Sequence, residues 1–335
     1  MWRAATKVDS VRHHPVTPGP SSVQTRLRIG TRGSPLALTQ TRMVIAALAR
    51  VHRWSADEAE ARTEIVAIKT TGDRVQDRPL ADIGGKGLFA KELEEALIAG
   101  SIDAAVHSLK DLPGLLPYGM MLACHLPRED PRDVLVAKAA KSLNDLPQGA
   151  RVGTSSVRRK AMLLHARPDL DIVGFRGNVE TRLKKLANGE ADATILAFAG
   201  LKRLNAEAHA SHIFTAQEML PAVAQGAIGV EILESNTTVR DLFAPANDRE
   251  TDIAVTLERA FLAILDGSCR TPIAGLAEHG DASITFNGCV LTPDGRTRID
   301  VARQAAIATA AEADHVGTDA GRELAAKAGR QFFEV

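Results

Sequence analysis

Two short runs of hydroxyl and guanidinium side chains stand where the chain is predicted to enter a helix. The first run is residues 31–34 (TRGS), followed by Pro35, and the second is residues 154–159 (TSSVRR). Because the first N–H groups of a helix are unpaired and the helix dipole is positive there, such positions bind anions. Helix capping with solvated arginines is the alternative, and capping explains Ser34 or Ser155 taken alone. Five polar side chains in six positions of the second run favour an anion site.

A single acid lies in the polar run HSLKD, residues 107–111, which closes a predicted buried strand. Polar residues after a parallel strand face the cleft at its carboxyl end, where open α/β sheets bind ligands. Asp111 is therefore a candidate catalytic residue, although an aspartate before Leu-Pro is commonly a turn former. Lys110 is either a solvated side chain or a part of the anion site.

Cys269 is the one cysteine of three that lies in a loop with glycine and serine, beside Arg270. A neighbouring cation favours the thiolate, so a loop cysteine of this kind is more reactive than a buried one. Cys124 and Cys289 lie in apolar, strand-like stretches and are expected in the core. An odd number of cysteines in a chain of this size suits a reducing compartment, so the predicted location is the cytoplasm.

Composition excludes several classes of function. The 335 residues carry no net charge, 45% of them are hydrophobic, and no stretch is apolar enough to span a bilayer. The ten histidines form no HxxxH pattern and there is no CxxC or Gly-rich nucleotide loop, so neither a metal nor a nucleotide is predicted. Between residues 151 and 203, however, eleven Lys or Arg outnumber five acids. This charge of +6 predicts an anionic partner, and arginine favours bidentate binding of carboxylate or phosphate.

Short apolar strands alternate with amphipathic helices, which predicts an α/β fold. Residues 97–104 and 186–193 share the spacing Leu-x-x-Gly-x-x-Asp-Ala, and residues 28–31 and 151–154 both read as a strand that enters a helix. This repeat predicts two lobes of similar build, with chance similarity as the alternative.

The predicted domains are a disordered tail (1–25), lobe 1 (26–126 with 227–246), lobe 2 (127–226) and a C-terminal α+β domain (247–335). The alternative is that the tail is a targeting peptide. Such peptides form an amphipathic helix, which the prolines of the tail would disrupt. Residues 127–132 and 221–226 carry the chain between the lobes, and this two-way crossing predicts a hinge beside a ligand cleft. The C-terminal domain is predicted to contain a helix before Cys269, a hairpin of strands 283–291 and 297–302, and a helix near residues 319–329.

Nine stretches resemble the hydroxymethylbilane synthase (porphobilinogen deaminase) family and occur in that family's order. They cover the chain from about residue 26 to 275, with weaker likeness beyond. They are residues 28–38 (RIGTRGSPLAL), 84–93 (GGKGLFAKEL), 105–113 (AVHSLKDLP), 128–133 (REDPRD), 153–159 (GTSSVRR), 175–183 (FRGNVETRL), 199–204 (AGLKRL), 220–227 (LPAVAQGA) and 267–273 (GSCRTPI).

The resemblance implies two lobes like those of type II periplasmic binding proteins and a small C-terminal α+β domain that carries the cofactor cysteine. It implies a transferase of haem biosynthesis that deaminates four porphobilinogen molecules and joins them head to tail. The linear tetrapyrrole 1-hydroxymethylbilane is then released by hydrolysis, with loss of four ammonia in all. The implied cofactor is a dipyrromethane bound through a thioether to Cys269.

By the same resemblance Asp111 is the catalytic carboxylate and Lys86 belongs to a mobile loop near the active site. The further residues implied to hold cofactor and substrate are Arg32, Ser34, Ser108, Lys110, Thr154, Ser155, Arg158, Arg159, Arg176, Arg182, Arg203 and Gln225. Two positions depart from the family pattern, in which glycine is frequent: Ala224 and Ser268. Neither departure removes a chemical group.

These residue types suit the implied chemistry. Each pyrrole brings two carboxylates, which explains a cleft rich in arginine. A carboxylate such as Asp111 can stabilise the azafulvenium cation that forms when ammonia leaves, and can move protons. A non-catalytic anion receptor of the same architecture is the main alternative, and it would need neither Asp111 nor Cys269. A nucleic-acid binder is the weaker one, because only 4% of residues are aromatic. We expect a monomer with no nucleic-acid or membrane partner.

Overall fold

The computed structural model describes residues 26–74, 87–265, 271–329 and residue 332. Cys269, Lys86 and the predicted N-terminal tail lie outside these residues. The first part of the chain forms β1 (Leu27–Arg32), α1 (Pro35–His52), α2 (Ala56–Arg62), β2 (Thr63–Ile68), α3 (Thr71–Arg74), α4 (Lys91–Ile98), β3 (Ala104–Ser108) and β4 (Met120–His125). The middle part forms β5 (Asp133–Ala137), β6 (Arg151–Gly153), α5 (Val157–Ala166), β7 (Asp171–Val173), α6 (Val179–Ala187), β8 (Ala193–Ala197), α7 (Phe198–Arg203) and β9 (His212–Ile213). The last part forms β10 (Ile228–Leu233), α8 (Thr237–Phe243), α9 (Arg249–Ile264), β11 (Ile273–His279), β12 (Ile284–Leu291), β13 (Arg298–Ala305) and α10 (Ala310–Ala328).

Lobe 1 is built on a five-stranded sheet of order β2-β1-β3-β10-β4. Strand β1 is parallel to β2 and β3, whereas β10 is antiparallel to β3 and β4. Helix α1 packs its apolar face, including Val44 and Leu48, on one side of the sheet. Ser34 caps this helix by accepting the Ala37 N–H at 3.3 Å, as its position before Pro35 predicts. The cap places the hydroxyl of Ser34 at the end of β1.

Lobe 2 repeats this plan with a sheet of order β7-β6-β8-β5-β9 and the same strand directions. The sequence repeat has a structural counterpart in each lobe. The N–H of Arg28 donates to Asp103 Oδ2 at 2.8 Å, and the N–H of Arg151 donates to Asp192 Oδ2 at 2.7 Å. The predicted pair of similar α/β lobes is confirmed.

The small C-terminal domain packs α9 and α10 on the antiparallel sheet β11-β12-β13. The rings of Phe261 and Phe286 meet edge to face in its core, with centroids 4.9 Å apart. The predicted α+β class and the hairpin are confirmed, but the predicted start of the last helix near residue 319 is wrong. The helix begins at Ala310, because Thr309 and Glu312 form a capping box that starts it. Gly317 reads as unfavourable for a helix, but an added Cβ would lie 2.1 Å from the Leu257 carbonyl oxygen, so only glycine permits this close approach of α10 to α9.

The two segments that cross between the lobes pair with each other. The N–H of Leu126 donates to Ile228 O at 3.1 Å, and that of Glu129 donates to Gly226 O at 3.2 Å. Gly226 has a φ of +89°, and an added Cβ would lie 2.2 Å from the Glu129 carbonyl oxygen, so this position requires glycine. Ala224 holds a left-handed φ of 57° without that freedom. The predicted residue boundaries of the domains stay a prediction.

Within the described ranges, every helix is either too short or too polar to cross a membrane.

Candidate active site

A cavity of about 810 Å³ opens between the two lobes, at the carboxyl ends of β1, β3, β6 and β8. A cavity of this size can hold a ligand of several rings. Most of the predicted site residues line it: Arg32, Ser34, Ser108, Lys110, Asp111, Ser155, Arg158, Arg159, Arg176, Arg182, Arg203 and Gln225. Cys269 and Lys86 lie outside the described residues, and Thr271, which follows the cysteine in the sequence, also lines the cavity.

Thr154 is the one described member of the predicted set that does not line the cavity. Its side chain is buried, and its Oγ1 accepts the N–H of Ser156 at 3.2 Å. Ser156 is the N-cap of α5, whereas the Ser155 hydroxyl accepts the N–H of Phe175 at 3.1 Å. The explanation of Ser155 as a helix cap is therefore wrong. Thr154 supports the start of α5 through its hydrogen bond to the N-cap residue Ser156.

Asp111 ends a short 3-10 turn, Leu109–Asp111, that follows β3 into the cleft. Arg32 lies between this acid and Asp73, with Nη1 3.6 Å from Asp111 Oδ2 and Nη2 2.5 Å from Asp73 Oδ1. Burial alone would raise the pKa of Asp73, but the hydrogen bond and the charge of Arg32 outweigh it and hold that pKa below its usual value. Asp73 is thus fixed as the partner of Arg32, while Asp111 keeps its oxygens for a ligand.

Lys110 begins a chain of polar contacts that runs from lobe 1 into lobe 2. Its Nζ donates to Gln225 Oε1 at 3.2 Å, and Gln225 Nε2 donates to Asp133 Oδ1 at 2.9 Å. The protein atoms around the amine in the cleft lower the pKa of Lys110 to about 8 even though the residue as a whole is exposed, and the nearby charge of Arg159 adds to the shift. The ammonium is therefore a cation of the cleft whose charge depends on pH near neutrality.

Arg158 and Arg159 line the cavity but are both paired with a carboxylate of the protein. Arg158 Nη2 lies 2.7 Å from Asp133 Oδ2, and Arg159 Nη2 lies 2.8 Å from Asp133 Oδ1. Burial would raise the pKa of Asp133, but the two guanidiniums outweigh burial and hold it far below its usual value. Two cations on one anion leave a net charge of +1 at the floor of the cleft, so the trio still attracts an acidic ligand.

The lobe 2 wall carries Arg176, Arg182 and Arg203. Arg176 reaches across the cleft, where its Nη2 donates to Gly72 O of lobe 1 at 3.4 Å. Arg182 Nε donates to Gly177 O at 2.9 Å, and Arg203 Nη2 donates to Gly226 O at 2.6 Å. Burial lowers the pKa of Arg182 and of Arg203 to about 10, so both remain charged at neutral pH. Neither forms an ion pair with an acid of the described chain, so their charge is available to a bound anion.

Gln40, Asp73 and Phe89 line the cavity although the sequence reasoning did not select them. Gln40 Oε1 accepts the Ser108 hydroxyl at 2.9 Å, and the Phe89 ring lies 4.1 Å from the Arg32 guanidinium carbon. Gln40 interrupts the apolar face of α1, and such a buried amide on a helix face is a signal that could have found it. Asp73 and Phe89 are ordinary residues in their local sequence, and only the tertiary fold brings them to Arg32.

The chain matches two family models in succession. The model of the porphobilinogen deaminase dipyromethane cofactor binding domain covers residues 27–241, and that of the porphobilinogen deaminase C-terminal domain covers residues 253–326. The chain belongs to the porphobilinogen deaminase family.

Porphobilinogen deaminases of bacteria and plants are similar to it over most of its length. That of Nitrobacter winogradskyi is 52% identical over 307 residues, which are 92% of this chain and 95% of the relative. The chloroplastic enzyme of Oryza sativa is 50% identical, over 92% of this chain and 86% of the relative. That of Paracoccus denitrificans is 51% identical, over 93% of this chain and 97% of the relative.

Solved structures of periplasmic binding proteins are more distantly similar. A periplasmic substrate-binding protein of an ABC transporter from Coxiella burnetii is 15% identical with a TM-score of 0.41, over 67% of this chain and 93% of that one. A periplasmic binding protein of Salmonella typhimurium with high arginine specificity is 13% identical with a TM-score of 0.39, over 66% of this chain and 92% of that one.

Membership of the porphobilinogen deaminase family confirms the predicted enzyme. It is a hydroxymethylbilane synthase, a transferase of porphyrin biosynthesis that deaminates porphobilinogen and joins four units head to tail before releasing 1-hydroxymethylbilane. The matching domain confirms dipyrromethane as its covalent cofactor, and the predicted attachment residue Cys269 lies within the span of the C-terminal model.

The described residues of this porphobilinogen deaminase fit that cofactor. Its pyrrole rings carry acetate and propionate groups, and the cleft offers Arg182 and Arg203 without acidic partners in the described chain. The Nε of Arg203 is buried and has no hydrogen-bond partner among the described residues. Because an unpartnered buried donor is costly, this atom is one that a bound carboxylate would satisfy.

Proposed function

We propose that Asp111 is the catalytic carboxylate of this synthase. Two acids line the described cavity, and Asp73 is held by Arg32 and by the hydroxyl of Thr70 at 2.7 Å. Asp111 accepts no hydrogen bond from the described residues, and its nearest cation, Arg32, is 3.6 Å away. This difference between the two acids carries the proposal, because Asp73 already accepts four hydrogen bonds from Arg32 and Thr70, and a carboxylate has about four acceptor sites in all.

The cleft suits an acid that stabilises positive charge. When bound, the dipyrromethane supplies the terminal pyrrole carbon to which the first porphobilinogen is joined. Asp111 accepts hydrogen bonds from pyrrole N–H groups and stabilises the cation that porphobilinogen becomes when ammonia leaves. It also takes part in proton transfer to the leaving amine, for which a carboxylate at the end of a rigid turn is well placed.

Arginines of both lobes hold the acidic side chains of the substrate in this proposal. Arg32, Arg176, Arg182 and Arg203 form the cationic wall, and Lys110 with the Arg158–Arg159–Asp133 trio forms the floor. Hydroxyl and amide groups of Ser34, Ser108, Ser155 and Gln225 complete the set. Guanidinium groups bind carboxylates with two parallel hydrogen bonds, so they fix orientation as well as charge. Thr154 contributes by supporting the start of α5.

We also propose that the enzyme is a cytoplasmic monomer with no nucleic-acid or membrane partner. The zero net charge supports the absence of nucleic-acid and membrane partners, because an electrically neutral chain has no general attraction to polyanions or to anionic lipid.

Asp111→Ala tests the catalytic role. We expect turnover to fall by about 10²-fold to 10³-fold or more, as when a group that stabilises developing charge is removed. The melting temperature and the mass of the covalent adduct are measured beside turnover. Near-normal turnover by folded, cofactor-loaded Asp111→Ala would remove Asp111 from the mechanism.

Intact-mass measurement tests the proposed attachment at Cys269. Protein from cells that make porphobilinogen should be heavier than its sequence by one dipyrromethane, and Cys269→Ser should have the unmodified mass. Cys289→Ser is the matched control, because Cys289 is a buried cysteine of the sheet of the C-terminal domain. An adduct that persists in Cys269→Ser would contradict the assignment.

A further inference from the structure

The turn that carries Asp111 belongs to lobe 1 by sequence but packs in the core of the C-terminal domain. Leu109 and Leu112, on either side of Lys110 and Asp111, are 1% and 4% exposed. Both lie in one hydrophobic cluster with Leu257, Phe261 and Leu265 of the α9 region. The apolar side chains of the turn thus belong to a core that is shared with the small domain, although Leu109 also packs on Gly229 of β10, while its polar side chains line the cleft.

Arg259 of α9 fastens the segment that follows this turn. Its Nη2 donates to Pro113 O at 2.9 Å and to Gly114 O at 3.1 Å. The arginine is 8% exposed, so these bonds are shielded from water. Burial lowers the pKa of Arg259 to about 10, and the charge of Glu231 on β10 limits this shift. The side chain remains a cation at neutral pH, which strengthens both bonds.

Gly114 brings the same segment against the helix backbone. A Cβ added at Gly114 would lie 2.8 Å from Ala263 N and 2.9 Å from Ala263 Cα, in the last turn of α9. Backbone atoms of a helix cannot move aside, so a side chain here must push the segment away. Arg259 and Gly114 therefore both set the distance between this segment and helix α9. Arg259 holds the segment through hydrogen bonds, and Gly114 allows the close approach because it has no side chain.

We propose that Arg259 is a positioning residue for the reaction, which holds the turn bearing Asp111 at a fixed place on helix α9. This proposal rests on the role of Asp111 proposed above. Helix α9 is followed closely in the sequence by Cys269, so Arg259 links the acid to the element that leads to the attachment residue. Arg259 does not line the described cavity, and neither do residues 113 and 114, whose carbonyls it binds.

Arg259→Met removes both hydrogen bonds and keeps most of the apolar contact. We expect kcat per folded, cofactor-loaded molecule to fall about 10-fold to 100-fold, since small displacements of a catalytic group cost this much. KM should stay within about twofold, because the binding arginines are untouched. Deuterium exchange of a peptide covering residues 107–116 should become about 10-fold faster. The N–H of Leu112 is protected by its bond to Leu109 O within the turn, and the turn should open more often when Arg259 no longer holds the segment that follows it. Arg259→Lys, which can still donate to one carbonyl, should recover part of kcat.

Arg249→Met is the matched control. Arg249 lies on the same helix and also donates to a backbone carbonyl, Ala308 O at 2.7 Å, but this bond stays within the C-terminal domain. It should leave kcat and the exchange of residues 107–116 unchanged. Gly114→Ala is the second variant, used also if Arg259→Met folds poorly, and it should lower kcat at constant KM in the same way.

Three results would overturn the proposal: wild-type kcat in folded Arg259→Met, or in Gly114→Ala where Arg259→Met does not fold; an equal loss in Arg249→Met; or a change in KM alone. The Asp111→Ala variant separates this failure from that of the proposed function. Normal kcat in Arg259→Met with inactive Asp111→Ala overturns the positioning role alone. Normal kcat in both removes the role of Asp111 on which the positioning role rests.

Discussion

Lobe 1 and lobe 2 share strand order, strand directions and the aspartate that binds a strand arginine, but they carry different side chains where their strands end. In lobe 1, β3 runs into Lys110 and Asp111, and α3 adds Asp73. In lobe 2, β8 runs into α7 with Arg203, and α6 adds Arg182. Both acids of the described cavity lining come from lobe 1.

This difference teaches how one scaffold divides two tasks. The ends of parallel strands meet at one edge of a sheet, so any polar residue placed there faces the cleft. Lobe 1 uses these positions for an acid that can act on a substrate, with Arg32 as its neighbouring cation. Lobe 2 uses them for cations, and its nearest acid, Asp133, is taken up by Arg158 and Arg159. Under the proposed roles, the catalytic acid belongs to lobe 1, and lobe 2 supplies most of the cations that bind carboxylates.

The largest expected effect outside the catalytic acid concerns Asp133, the acid of lobe 2. Asp133→Asn leaves two buried guanidiniums with an uncharged partner, and we expect a loss of about 3–5 kcal/mol in the free energy of unfolding. Urea unfolding measures it. Asp169→Asn is the control, because Asp169 is an exposed residue paired with Arg167, and it should cost much less.

The pH dependence of Asp133 follows from its depressed pKa. The group contributes stability above its unfolded pKa of roughly 4, and this contribution is lost as pH falls through the folded-state value. The wild-type advantage over Asp133→Asn should therefore shrink in acid. An advantage that is constant from pH 7 down to pH 3 would contradict a charged pair in lobe 2.

Arg182 tests the assignment of binding to lobe 2. Arg182→Gln removes a cation that has no acidic partner in the described chain, and KM for porphobilinogen should rise about 30-fold, or about 2 kcal/mol. Turnover at saturation should fall much less than in Asp111→Ala. Lys184→Gln is the control, because Lys184 lies on the same helix but is exposed and outside the cavity. A loss in turnover with unchanged KM would mean that lobe 2 also acts in the chemical step.

Lys110 sharpens the comparison from the side of lobe 1, because it is a lysine of the cleft whose charge changes near neutral pH. Its pKa of about 8 means that the cleft loses a positive charge as pH rises from 7 to 9. KM of the wild type should therefore increase about 3-fold to 10-fold over this range, in line with one lost partly screened charge contact. Lys110→Arg stays protonated and should show a flatter profile. Lys110→Gln should show the high KM at every pH, and identical profiles in all three proteins would exclude Lys110 from binding.

The two-lobed fold could be predicted from the sequence because its determinants are local. Ser34 before Pro35 fixes the start of α1, and the glycine and aspartate of the repeat mark where each lobe passes from helix to strand. The cavity lining could be predicted in large part for the same reason, since strand ends and helix starts are read from nearby residues. The family resemblance supplied the remaining site positions. Thr154 shows the limit of such a resemblance, because its side chain is buried and does not line the cavity.

Long-range pairings could not be predicted. Asp133 and Arg158 are separated by a whole strand and loop, and nothing in the local sequence shows that they meet in a buried ion pair. The bond from Arg259 to residues 113 and 114 joins positions that are about 145 residues apart. Glycine is unfavourable inside a helix, and the role of Gly317 becomes visible only when α9 is packed beside it. Each case depends on which elements come together, which single-residue patterns do not encode.

The smallest expected effect concerns the shared feature of the two lobes. Among the described residues, Asp192 accepts the N–H of Arg151 alone, whereas Asp103 accepts the N–H of Arg28 and also its guanidinium at 3.1 and 2.7 Å. We expect Asp192→Ala to lower the free energy of unfolding by about 0.5–1 kcal/mol and Asp103→Ala by about 1–2 kcal/mol. In an Arg28→Met background the cost of Asp103→Ala should fall to that of Asp192→Ala, because the backbone bond alone then remains. Equal costs in the wild-type background would show that the guanidinium contact adds nothing, whereas a larger cost for Asp192→Ala would mean that the two aspartates do not play the same part in the repeated scaffold.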